Sequence, residues 1–162
     1  MDKDRSSAEA KRNAPQDAAF KLEEFLPYRL NVVAALASQA LSRIYTARYG
    51  IGVPEWRVLV TLGHYGVMTG KAIGAHSHMH KTKVSRAVAL LESRKLLVRR
   101  ANKADMREAL LSLTAAGRAI YEDLVPVAEE FARRFGEAVD PADRAAFDRA
   151  LAALTERAKK LT

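Results

Sequence analysis

The sequence predicts a mainly α-helical fold with a small β-hairpin wing, a winged helix-turn-helix set between long N- and C-terminal helices. Three observations predict it. Residues 81–95 place Val84, Val88 and Leu91 at i, i+4 and i+7, one narrow apolar stripe on a helix of period 3.6. Directly after it, residues 96–100 (LLVRR) and the alternating 109–113 (ALLSL) read as two short strands. The polar stretch 101–107, with Asn102 and Asp105 as turn formers, joins them. On either side of this centre, residues of about 22–49 and 115–160 are long, Ala-rich and amphipathic.

Taken in order, residues 1–20 alternate charges with Ser, Ala and Pro15 and predict a disordered tail ahead of one domain over 21–162. The first long helix, about 22–49, keeps Leu30, Val33, Ala37, Leu41 and Ile44 at helical spacing. Val32, Leu36 and Ala40 widen its apolar surface beyond one stripe, as a dimer seam requires. Gly50 to Val53 ends that helix, and Pro54 suits the first turn of the next, whose buried set is Trp56, Leu59, Val60 and Leu62. The three glycines of residues 63–70 predict a break. A short helix over 71–75 and the basic helix then form the helix-turn-helix, in a lobe of about 54–113. Thr114 is positioned to cap the next helix, which carries Ile120, Leu124, Val127, Phe131 and Phe135 and is expected to kink at Pro126. Asp140-Pro141 predicts a restart, with Phe147, Leu151 and Leu154 as the last stripe.

Charge is local. Residues 71–107 hold ten Lys and Arg against Glu92 and Asp105, a net of +8, and the whole chain also carries +8, so the rest sums to zero. A solvated charged face on an ordinary helical domain gives no reason for charge, periodicity and hairpin to coincide. A nucleic-acid footprint does. On the basic helix Thr82, Arg86, Ala89 and Ser93 lie opposite the apolar stripe, with Lys83 and Ser85 flanking them. Short side chains let the backbone approach a major groove, while Lys81, Thr82, Lys83, Ser85 and Arg86 supply donors to phosphates and base edges. Lys103, Asp105 and Arg107 occupy the turn of the hairpin.

The absence of cysteine excludes disulfides, Cys-ligated zinc and thiol chemistry. No apolar run approaches the ~20 residues that span a bilayer, and residues 1–13 lack a signal-peptide core. A cytoplasmic location with no membrane partner is expected. There is no Gly-x-Ser-x-Gly elbow, Walker loop or Gly-x-Gly-x-x-Gly turn, so an enzyme is not expected, nor is a cofactor. His76, His78 and His80 offer three imidazoles within five residues, and a metal-responsive regulator is the alternative they raise. Against it, no Cys, Asp or Glu lies between Lys71 and Lys81, and His at i and i+2 diverge on a helix, so no metal site is assigned. A sequence-tolerant architectural DNA binder is a further alternative.

The order of elements and several motifs resemble the MarR family of bacterial transcription regulators. The matching residues are Val53-Pro54-Glu55-Trp56-Arg57-Val58-Leu59, Lys81-Thr82-Lys83-Val84-Ser85-Arg86, Leu91-Glu92-Ser93-Arg94-Lys95-Leu96-Leu97, Asp105-Met106-Arg107 and Leu113-Thr114-Ala115-Ala116-Gly117. The resemblance implies a homodimer with interleaved first and last helices. It also implies recognition helices in successive major grooves of a pseudo-palindromic operator, with half-sites ~34 Å apart. In the wing motif it implies that Arg107 enters the minor groove and Asp105 orients it.

The resemblance further implies a repressor released by a small ligand held between the helical dimer region and the DNA-reading lobe. Tyr28, Arg29, Asn31, Arg43, Tyr45, Arg48, Trp56, His64 and Tyr65 are the candidates to line that site. Residues 28–31, 42–45 and 79–86 resemble the subgroup that responds to aromatic acids or their CoA thioesters. Two departures stand out: His80 occupies a position where an N-capping Asp is common, and Gly74 weakens the short helix by up to ~1 kcal/mol relative to Ala.

Overall fold

The structure, a computed structural model, describes residues 20–103 and 105–161. Apart from Phe20, the tail expected over 1–20 lies outside the described residues. The chain divides into two compact units, Met1–Leu36 and Ala37–Thr162.

In the first unit a 3-10 turn, Leu22–Glu24, precedes the start of helix α1 (Leu26–Tyr49). The helix opens at Leu26 rather than near 22 because Pro27, which lacks an N–H, fits only a first turn. The Phe20 and Phe25 rings meet edge to face at 5.2 Å, and Lys21 pairs with Glu24 at 3.2 Å. Leu26, Leu30, Val33 and Leu36 are exposed, Leu36 by 60%.

The second unit holds the end of α1 and then α2 (Val53–Tyr65), β1 (Met68–Thr69), α3 (Gly70–Ser77), α4 (Lys81–Ser93), β2 (Leu97–Ala101), β3 (Ala109–Leu113), α5 (Ala115–Gly136) and α6 (Arg144–Lys159). Trp56, Val58, Leu59 and Leu62 of α2 pack with Ile73 of α3 and with Val84, Ala87, Val88 and Leu91 of α4. Leu96, just before β2, and Leu97 and Leu111 of the sheet close this core. Each Leu or Val so buried contributes about 1.5–3 kcal/mol relative to exposure. Tyr45, 2% exposed, stacks on Trp56 at 5.3 Å. Leu124 is the one buried large side chain on α5, and α6 buries none, with Phe147, Leu151 and Leu154 exposed.

The sheet is antiparallel in the order β1-β3-β2, with Leu97 opposite Leu113, Arg99 opposite Leu111 and Met68 also opposite Leu111. Strand β1 lies inside the stretch expected to be only a break. Two glycines of that stretch are helical: Gly63 belongs to α2 and Gly70 opens α3. The Tyr121 ring lies over Gly63, where a Cβ would strike it, so this glycine answers a contact from α5 rather than a turn. Thr69 Oγ1 accepts the Ala72 N–H at 3.2 Å and caps α3, which runs to Ser77 and not 75.

Thr114 Oγ1 accepts the Gly117 N–H at 3.1 Å, the cap expected for α5. Gly117 itself is buried against the Leu96 carbonyl, which leaves no room for a Cβ. Pro126 lies inside an unbroken α5. The restart at Asp140-Pro141 comes later than expected. Asp140 Oδ1 accepts the Ala142 N–H at 2.8 Å in a turn, and α6 begins only at Arg144. No helix among the described residues is long and apolar enough to cross a membrane.

Candidate nucleic-acid interface

Helix α4 buries Val84, Ala87, Val88 and Leu91, which leaves Lys81, Thr82, Lys83, Ser85, Arg86, Ala89 and Ser93 exposed, the division its periodicity predicts. His80 caps it: the Nδ1 atom accepts the Thr82 N–H at 3.4 Å, a long bond, so imidazole replaces the usual carboxylate at a weaker cap. The turn before it is tight. His78 adopts φ 51°, and the Met79 N–H bonds the Gly74 carbonyl at 3.1 Å. A Cβ on Gly74 would come within 3.1 Å of the Met79 carbonyl oxygen, so the glycine that weakens α3 admits the close turn that aims α4.

The wing turn carries Lys103, Asp105 and Arg107, all exposed. A groove of about 750 Å³ lies between α3, α4 and the sheet. Its lining includes the apolar Met79, Val84, Val88 and Leu111, the polar and basic Lys71, His80, Lys81, Ser85, Arg99 and Arg107, and one acidic residue, Glu108. Of the ten cations in residues 71–107, Arg99 pairs with Glu92 at 3.3 Å, and among the described residues no other ion pair forms within this window. Arg94 points elsewhere, to the Tyr49 and Gly50 carbonyls. Arg99 apart, the cations along this helix and hairpin have no acidic partner among the described residues, and such an array fits a polyanion whose counterions it displaces.

Tyr45 and Trp56 are stacked in the core, where burial raises the Tyr45 phenol above its ordinary range against the opposing pull of the Arg57 guanidinium. Arg48 bonds Asp123 at 3.1 Å. His64 and Tyr65 end α2, with Tyr65 between the His64 ring at 4.6 Å and the His76 ring at 4.4 Å. Arg43 is exposed on α1, and in the first unit so are Tyr28, Arg29 and Asn31. His76, His78 and His80 join no group of three metal-ligating side chains among the described residues. The groove is not legible in the sequence because Lys71 of α3, Arg99 of β2 and Arg107 of the wing turn lie apart in the chain and line it together only in the fold. Its one sequence signal was the charge count.

Residues 49–108 match the MarR family model. None of the curated proteins searched matches the chain in sequence. Among solved structures, a MarR family regulator from Silicibacter pomeroyi DSS-3 is 28% identical with a TM-score of 0.71, over 85% of this chain and 99% of that one. Bordetella bronchiseptica BpsR, whose DNA binding is regulated by 6-hydroxynicotinic acid, is 25% identical with a TM-score of 0.66, over 78% of this chain and 98% of that one. A MarR/EmrR family regulator from Acinetobacter sp. ADP1 shares the fold at 24% identity and a TM-score of 0.78, over 87% and 99%. The matched segment runs from the end of α1 through the helix-turn-helix to the wing tip, and the chain shares the fold of these regulators.

Proposed function

We propose that the chain acts as a homodimeric repressor that reads a pseudo-palindromic operator and is released by a small aromatic acid. The observation that carries the reading is the exposed, acid-free first turn of α4 beside the wing arginine, with Lys81, Ser85 and Arg107 on one groove. Thr82, Ser85 and Arg86 take base edges, Lys81, Lys83 and Lys103 take phosphates, and Arg107 takes a flanking minor groove, where a narrow A·T-rich stretch concentrates negative potential. Dimerisation is supported by apolar side chains that one chain leaves exposed: Leu30, Val33 and Leu36 on α1, and Phe147, Leu151 and Leu154 on α6. Under this reading helices near 22–49 and 115–160 pair the copies, and residues of about 54–113 read DNA.

Support for release by an aromatic acid comes from the likeness to BpsR and from the groove itself. Its volume lies within the range of small-molecule pockets, and its lining sets apolar side chains beside four cations, Lys71, Lys81, Arg99 and Arg107, against one carboxylate, Glu108. An aromatic carboxylate seated there covers Lys81 and Arg107 and competes with DNA directly. Calorimetry with 6-hydroxynicotinic acid, a hydroxycinnamic acid and hydroxycinnamoyl-CoA tests this, each followed by a DNA-release titration. Arg99→Ala separates the groove from a site using Arg43 on α1. If no ligand binds or displaces DNA, the effector reading is wrong. If the protein shifts no duplex at low salt, the repressor reading falls with it.

A further inference from the structure

The C-terminal turn of α1 is held from two sides. Arg94, the C-cap of α4, donates from Nη2 to the Tyr49 carbonyl at 2.7 Å and from Nη1 to the Gly50 carbonyl at 3.4 Å. From α5, Asp123 accepts the Tyr49 hydroxyl at 2.8 Å and Arg48 Nη1 at 3.1 Å. The last carbonyls of a helix lack intrahelical donors and carry the negative end of its dipole, so a forked guanidinium satisfies them twice. The backbone that presents Arg94 is fixed as well. The Lys95 N–H bonds the Glu92 carbonyl at 2.9 Å, and the Leu96 N–H bonds the Leu91 carbonyl at 2.9 Å. With Lys95 at φ 59°, this is a Schellman closure sealed by buried Leu91 and Leu96. Contacts therefore run from α5 through Asp123 to the end of α1, and through Arg94 to α4.

We infer that Arg94 is a positioning residue for DNA recognition. It fixes the inclination of the recognition helix against the end of α1, and through it the separation of the two recognition helices in the dimer. Its guanidinium is occupied by carbonyls, and it stands at the opposite end of α4 from Lys81, about 20 Å along the axis at 1.5 Å per residue. The charge count that marks the DNA footprint therefore includes one cation with an internal task. The inference rests on the dimeric operator reading above.

The test uses the full chain and a duplex that the wild-type protein selects from a random pool, together with versions that gain or lose one base pair between half-sites. Arg94→Ala, Arg94→Lys and Lys81→Ala are compared by fluorescence anisotropy over a salt series, after circular dichroism confirms their fold. Arg94→Ala is expected to bind the selected duplex about tenfold more weakly, with an unchanged salt slope and a smaller penalty for altered spacing. Arg94→Lys keeps the charge but cannot fork across two carbonyls, so it follows Arg94→Ala, and it carries the test if the alanine variant unfolds. Lys81→Ala loses about 0.9 from the slope and keeps the spacing penalty. A reduced slope for Arg94→Ala, wild-type behaviour of Arg94→Lys, or an unchanged spacing penalty overturns the inference alone. A wild-type protein that selects no paired half-sites overturns both it and the operator reading.

Discussion

The Asp105 carboxylate accepts the backbone N–H of Arg107 at 2.9 Å. The resemblance implies an aspartate that orients the arginine. The bond found here acts on the backbone, in a two-residue turn that the Glu108 N–H closes on the Asp105 carbonyl at 3.1 Å. Asp105 thus shapes the wing tip, and Arg107 projects from that shape. Asp105→Ala should cost operator binding about 1 kcal/mol, the loss of one turn bond. Arg107→Ala should cost about 1–3 kcal/mol, most where flanking DNA is A·T-rich. A double-mutant cycle by anisotropy should give less than the sum, because one change acts through the other.

The exposed face of α4 divides by role. Arg86→Ala and Thr82→Ala should relax base preference within the half-site by about 1–3 kcal/mol per contact. Lys81→Ala should weaken all sequences alike and flatten the salt dependence. Competition binding against single-base operator variants checks both. If Arg86→Ala leaves preference untouched, α4 meets DNA through another face.

Lys95 holds φ 59°, a conformation that costs a side-chain-bearing residue about 1–2 kcal/mol and glycine nothing. Lys95→Gly should therefore stabilise the fold, by at most about 1 kcal/mol once the greater freedom of unfolded glycine is subtracted. Gly117→Ala forces a methyl group onto the Leu96 carbonyl and should destabilise by about 1–3 kcal/mol. Urea melts of the two variants should move in opposite directions.

The hydrogen bond to Asp123 raises the Tyr49 phenol above its ordinary value, because ionisation would lose the bond and set phenolate beside carboxylate. A group raised on folding stabilises the protein below its unfolded value, about 10 for tyrosine, and this contribution fades as pH climbs through the folded value. Burial raises Tyr45 in the same direction. Stability should hold steady from pH 8 to 9 and fall above about pH 10. Tyr49→Phe should be less stable at neutral pH and lose less on the alkaline limb, as unfolding curves across that window will show.

The fold was legible wherever one helix or hairpin buries a single face. Val84, Val88 and Leu91 mark α4, and alternation over Ala109–Leu113 marks the full length of β3. Misreadings arose where a residue answers a distant partner. Gly63 resembles a breaker until the Tyr121 ring of α5 is laid over it; Asp140 differs for a local reason, its carboxylate accepting the Ala142 N–H in a turn ahead of α6. The two-residue strand β1 is too short to carry a period, and its pairing with Leu110 and Leu111 makes it a strand. In the sequence Arg94 is one positive charge among the ten of residues 71–107. Nothing local announces that it reaches Tyr49, 45 residues earlier in the chain.

The most direct measurement is binding of the purified full chain to its selected duplex over a salt series, with stoichiometry taken from light scattering. Two copies should bind one duplex and prefer it to random DNA by at least about a thousandfold. The logarithm of affinity should fall linearly with that of salt at about 0.9 per phosphate neutralised. A single copy per duplex, or equal affinity for the selected and random sequences at every salt concentration, would contradict paired reading of an operator by α4 and the wing.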